Sequence, residues 1–163
     1  MTDTNEVAQP HPFHIDKIFF DGCAFGMSYY IGIYKTMYAN KECYTNTQFY
    51  GCSAGVFIST GIILGIDPEL FIESFHDVCN RELTMDPKTW QWTRIQIECL
   101  TKYVAYYEVN IRNKVDGYTE PAFEIANKRL NVGVSLFDSE TGGYTNFSFV
   151  NKFKSNYELI CAI

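Results

Sequence analysis

A mixed α/β fold is what this sequence predicts. Two short β-prone runs each pass through a glycine-containing turn into a helix-forming segment, and a longer pair of β-prone runs near the end is joined by turn residues. The length of 163 residues suits one domain. With 47% apolar and 20% charged residues the chain lies in the globular range, which excludes disorder, collagen-like repeats and coiled coil. Thirteen Phe, twelve Tyr and two Trp supply bulk for a large core. The net charge of −6, with no Lys/Arg cluster, speaks against a nucleic acid partner.

The elements follow in order. Residues 1–14 are polar and read as a flexible leader, with the folded domain spanning 15–163. Residues 15–20 form a strand ending at Asp21-Gly22. Tyr29, Tyr30, Ile33, Tyr34, Met37 and Tyr38 are spaced for an amphipathic helix over 28–39. A second strand at 48–50 runs into Gly51, and the following segment to Leu64 is apolar on every side, as a central buried helix would be.

Asp67-Pro68 combines an N-cap with proline at the first helical position, so a helix is predicted from there toward Arg81. Asp86-Pro87 repeats the signal and opens a longer helix with Trp90, Ile97, Leu100 and Val104 on its inner side. A shorter helix is predicted over 120–128. Residues 130–137 and 144–150 then form a β-hairpin around the turn at 138–143. Ser155 and Glu158 make a capping box ahead of residues 159–163. That last helix stops without a cap, and two turns do not repay helix nucleation, so the chain is expected to be cut short.

No basic start followed by an apolar run is present, so the protein is not expected to be secreted; an intracellular place, cytoplasmic or peripheral to a membrane, is expected. The longest apolar stretch, 54–66, is too short for a bilayer, which needs about 20 residues. Cys23, Cys43, Cys52, Cys79, Cys99 and Cys161 have no paired spacing and read as reduced thiols. His11, His14 and His76 lack metal-ligand spacing, so neither a metal nor another cofactor is expected.

The chemistry centres on Gly51-Cys52-Ser53-Ala54-Gly55, a G-x-S-x-G nucleophile elbow. Glycines flank the serine because a strand must turn sharply into a helix, leaving Oγ exposed at the tip. The serine then stands at a helix N-terminus, where free N–H groups and the dipole favour negative charge. The competing reading is a turn with a capping serine. The turn at Gly22, Cys23 and Ala24 is a candidate oxyanion hole, since successive N–H groups there can converge on one acceptor.

This pair resembles the patatin-like phospholipase family. It is carried by Phe20-Asp21-Gly22-Cys23-Ala24-Phe25, Tyr29-Tyr30-Ile31-Gly32-Ile33 and Tyr50-Gly51-Cys52-Ser53-Ala54-Gly55. The hairpin from Arg129 and the segment from Phe153 to Ile160 resemble its animal triglyceride-lipase branch. The resemblance implies a three-layer α/β/α sandwich with a central, mostly parallel sheet, incomplete at the C-terminus. It also implies hydrolysis of phospholipid or glyceride esters by a Ser–Asp dyad without histidine or metal. Ser53 matches the nucleophile, and Gly22, Cys23 and Ala24 match the oxyanion turn.

There are departures. Ala24 and Met27 stand where the family has further glycines, and no residue matches the dyad aspartate, which follows the last helix in an Asp-Gly-Gly or Asp-Gly-Ala motif. Asp116, in Asp116-Gly117, and Asp138 read as turn formers, and Asp21 as a residue that orients its loop. The expected partner is a lipid ester, with peripheral membrane or lipid-droplet contact, and the chain alone is expected to be weak or inactive. The alternative is a non-catalytic lipid- or protein-binding remnant of the same fold.

Overall fold

The computed structural model describes residues 15–23, 27–83, 92–138 and 140–162. The leader, Ala24, Trp90 and the Asp86-Pro87 helix start lie outside them. Strand β1 (Lys17–Phe20) leads to helix α1 (Met27–Ala39), a 3₁₀ turn (Lys41–Tyr44) and β2 (Gln48–Cys52). Helices α2 (Ala54–Leu64), α3 (Pro68–Leu83) and α4 (Trp92–Tyr106) follow, α4 passing into a π turn (Tyr107–Ile111). Helix α5 (Ala122–Arg129), the hairpin β3 (Leu130–Asp138) and β4 (Gly143–Val150), and α6 (Asn156–Ile160) complete the order.

The sheet runs β1-β2-β3-β4, with β1, β2 and β3 parallel and β4 antiparallel to β3. The fold is therefore α/β with a mostly parallel sheet. Alternation along β2 buries Phe49 and Gly51 on one face, where their neighbours in register are Ile18, Phe20, Leu130 and Val132. Helix α2 lies against that face, and of its eleven residues only Ile62 is not fully buried. The other helices gather around α2 and one another. An aromatic stack supplies much of the core: Phe71 lies 4.9 Å from Tyr103 in a stacked pair and 5.4 Å from Tyr34 edge-on.

The opposite face of the sheet carries Phe19, Tyr50, Phe147 and Phe149, with Phe19 and Phe147 more than half exposed. The second helical layer that the resemblance implies is not formed by the described residues.

Several local signals act through the atoms expected. Asp67 Oδ1 accepts the Glu69 N–H at 2.8 Å and starts α3. Asp138 closes the hairpin turn through Glu140 N–H and the Thr141 hydroxyl. Ser155 Oγ accepts the Glu158 N–H, although Glu158 answers to the N–H of Lys154 rather than that of Ser155 itself. Two helix faces differ from expectation. Tyr29 points to solvent at 73% exposure while Tyr34 and Met37 enter the core. On α4 the buried stripe is Gln96, Cys99, Leu100, Tyr103 and Val104, and Ile97 faces outward, because the tertiary contacts of Cys99 and Tyr103 set the rotation.

Candidate active site

Ser53 stands between the carboxyl end of β2 and the first turn of α2, the position where parallel α/β sheets bind ligands. Its φ of 48° and ψ of −123° lie in territory that favours glycine. A non-glycine residue held there costs about 1–3 kcal/mol. The side chain makes no cap hydrogen bond to α2, so the capping role does not explain the serine. The residue is exposed.

The two flanking glycines are required by close approach. A Cβ on Gly55 would lie 2.0 Å from the Phe20 carbonyl oxygen, and one on Gly51 would lie 2.9 Å from the main chain of Gly55 and Val56. These contacts seat α2 directly on β1 and β2, so the elbow is an outcome of main-chain packing. Cys52 and Ala54 complete it. Ala54 is buried, and Cys52 Sγ lies over Gly133, where a Cβ would meet it at 2.3 Å.

The first turn comes to the serine. A Cβ on Gly22 would touch Ser53 Cβ at 3.3 Å and Oγ at 3.9 Å, so nothing larger than glycine fits comfortably between the turn and the hydroxyl. Gly22 N–H, however, donates to Asp21 Oδ1 at 2.7 Å. The Asp21 carboxylate thus occupies one of the N–H groups expected to hold an oxyanion. Burial, then the charge of Asp21, raises the thiols of Cys23 and Cys52 above their ordinary value, so both are neutral at pH 7.

Sequence reasoning missed the partner of Ser53. Gln96, 5% exposed on the inner stripe of α4, donates from Nε2 to Ser53 Oγ at 3.3 Å. A signal was present: positions 96, 99, 100, 103 and 104 form one helical stripe, and glutamine is its one strongly polar member. Both residues line a cleft of about 710 Å³ walled by Val132, Val134, Leu136 and Phe153. Among the described lining residues the one carboxylate is Glu158, whose Oε2 accepts the Lys154 N–H.

Other candidates fall elsewhere. Asp116 lines a cavity beside Gly65, at the far end of α2 from Ser53. Asp138 is engaged in its turn. His76 Nδ1 pairs with Asn80 on an exposed surface. No group of three metal-ligating side chains occurs among the described residues, and no helix among them is long and apolar enough to cross a membrane. Comparison with family models, curated proteins and solved structures gave no match to this chain.

Proposed function

We propose that this chain is a serine lipid acyl hydrolase of patatin-like type, with Ser53 as its nucleophile. The observation that carries the reading is Ser53 itself, held at positive φ on a glycine-flanked strand-to-helix turn with its hydroxyl against Gly22. In the reaction Ser53 Oγ forms a bond to the acyl carbon of an ester, the alcohol leaves with a proton, and water then releases the acid. The apolar walls of the cleft suit an acyl chain. Cys23 N–H, and that of Gly22 once Asp21 releases it, would face the developing oxyanion, a job in which one donor is worth about 3 kcal/mol.

Among the described residues no carboxylate or imidazole is bonded to Ser53 Oγ; its partner is Gln96. Gln96 donates to Oγ and an amide takes no proton, so the hydroxyl stays a weak nucleophile at neutral pH. A small residual rate is therefore expected, since binding and oxyanion donors alone leave about 10³–10⁴ over water in comparable serine enzymes. The alternative reading, a binding remnant of the same fold, is favoured by that same Gln96 contact and by the Asp21 hold on Gly22.

Short-chain p-nitrophenyl esters separate the two. The hydrolase reading expects slow release of p-nitrophenol with one acyl group appearing on Ser53 by intact-mass spectrometry, both lost in Ser53→Ala. A residual rate that survives Ser53→Ala, with liposome binding equal in both proteins, would establish the remnant instead.

A further inference from the structure

A second cavity of about 360 Å³ opens at the C-terminal end of α2, between α1, the loop around Tyr118 and α5. Helix α2 has eleven residues, so roughly 16 Å of helix separates this cavity from Ser53. Its size is at the small end of the range for ligand pockets. Met37, Ile62 and Ile63 supply apolar walls, and Tyr38, Tyr118 and Arg129 supply the polar groups.

Arg129 is the unusual member. Its Nε donates to the Thr47 carbonyl at 3.1 Å, its Nη2 donates to the Tyr44 carbonyl, and the guanidinium lies over the Phe49 ring at 5.2 Å. Those bonds use two of its five N–H donors and leave three, two on Nη1 and one on Nη2, for another acceptor. Among the described residues no carboxylate pairs with it, whereas the neighbouring Lys128 pairs with Glu120 and Arg112 with Glu108. Burial lowers its pKa, the mark of a cation held partly out of water. A partly desolvated cation without a counter-charge carries a cost that an anion bringing one offsets.

We propose that this cavity binds a small amphiphilic monocarboxylate, with its apolar body against Met37, Ile62 and Ile63 and its carboxylate on Arg129. Guanidinium geometry matches a carboxylate better than an ammonium would. Tyr118 lines the same cavity, and its hydroxyl, beside Gly65, supplies a second donor. A dianion such as phosphate is disfavoured, because on the rim Lys41 and Lys128 are offset by Glu42 and Asp116, leaving the single charge of half-buried Arg129 for the ligand. The site is independent of the role assigned to Ser53.

Titration calorimetry of the full chain with octanoate, octanol and inorganic phosphate tests it. Octanoate is expected to bind a site that depends on Arg129, distinct from any acyl chain held in the Ser53 cleft, with octanol at least about tenfold weaker there and phosphate not detectable. Arg129→Gln should weaken octanoate by about tenfold or more, while Ser53→Ala binds it as the wild type does. Arg129 also holds two carbonyls, so Ile62→Phe, which fills the cavity from a half-buried position, provides a second variant; it too should weaken octanoate at least about tenfold. Equal affinity in either variant, once circular dichroism shows it folded, overturns the proposal. So does loss of binding in Ser53→Ala, which would put octanoate in the other cleft, or phosphate binding as tightly as octanoate.

Discussion

At its N-terminal end α2 meets the sheet main chain to main chain, and the residue that turns into it is strained. At its C-terminal end the chain leaves through Gly65, whose φ of 66° is ordinary for glycine, and whose N–H reaches back to the carbonyls of Gly61 and Ile62. There the contacts are side chains, with Tyr34 bonded to the Ile66 carbonyl and Tyr118 lying over Gly65. The first end has no slack and the second is cushioned. A site that must aim one hydroxyl benefits from the first arrangement, and a cavity that accepts a ligand from the second.

The sharpest way to break this contrast is Gly55→Ala. A methyl 2.0 Å from the Phe20 carbonyl cannot be absorbed by a side-chain movement, so β1 and α2 must separate. The expected loss exceeds about 4 kcal/mol in urea denaturation, and a loss under half of that would mean the seat is softer than it looks.

A smaller effect is expected at the cushioned end. Glu108 binds Arg112, the Ala122 N–H and Asn156, and so ties down both ends of the loop that carries Tyr118. Burial alone would raise its carboxyl, but these hydrogen bonds outweigh it and hold the carboxyl below its ordinary value. With the folded value below the unfolded one, the contribution is complete above about pH 4.3 and vanishes as pH falls through the folded value. Glu108→Gln should therefore cost about 2 kcal/mol at pH 7, and the deficit should shrink on acidification. A deficit that stays constant down to pH 3 (about one unit below the unfolded carboxyl) would remove the electrostatic explanation.

The smallest expected effect has the opposite sign. Ser53→Gly relieves the positive φ and should stabilise the protein by about 1 kcal/mol, whereas Ser53→Ala keeps the strain. If both variants unfold at the same urea concentration, the elbow stores no strain.

Much of the candidate site was legible because glycine and serine report on backbone, and backbone needs are local. Gly51, Ser53 and Gly55 announce a tight strand-to-helix turn wherever the rest of the chain goes. The Asp67 cap and the Asp138 turn are readable for the same reason. Gln96 left only a faint signal, its place on the 96, 99, 100, 103, 104 stripe, because a polar residue on a helix reads as solvent-facing until the partner across that stripe is known. Ile97 was misread by the same ambiguity, because adjacent positions differ by only one helical step. The π turn at Tyr107–Ile111, which follows the buried stripe, leaves no compositional trace.

What the sequence alone determined is the set of short-range shapes: the strands, the capped helices, the hairpin and the bend at Ser53, each dictated by residues a few positions apart. Gly22 beside Ser53 was already implied by the two turns together; only the tertiary structure decided the other meetings across the fold, Gln96 with Ser53, Arg129 with an apolar cavity and Asp116 far from the serine. Those meetings depend on how α2 seats against the sheet and how α4 rotates against α2, and both are set by packing summed over many residues rather than by any motif.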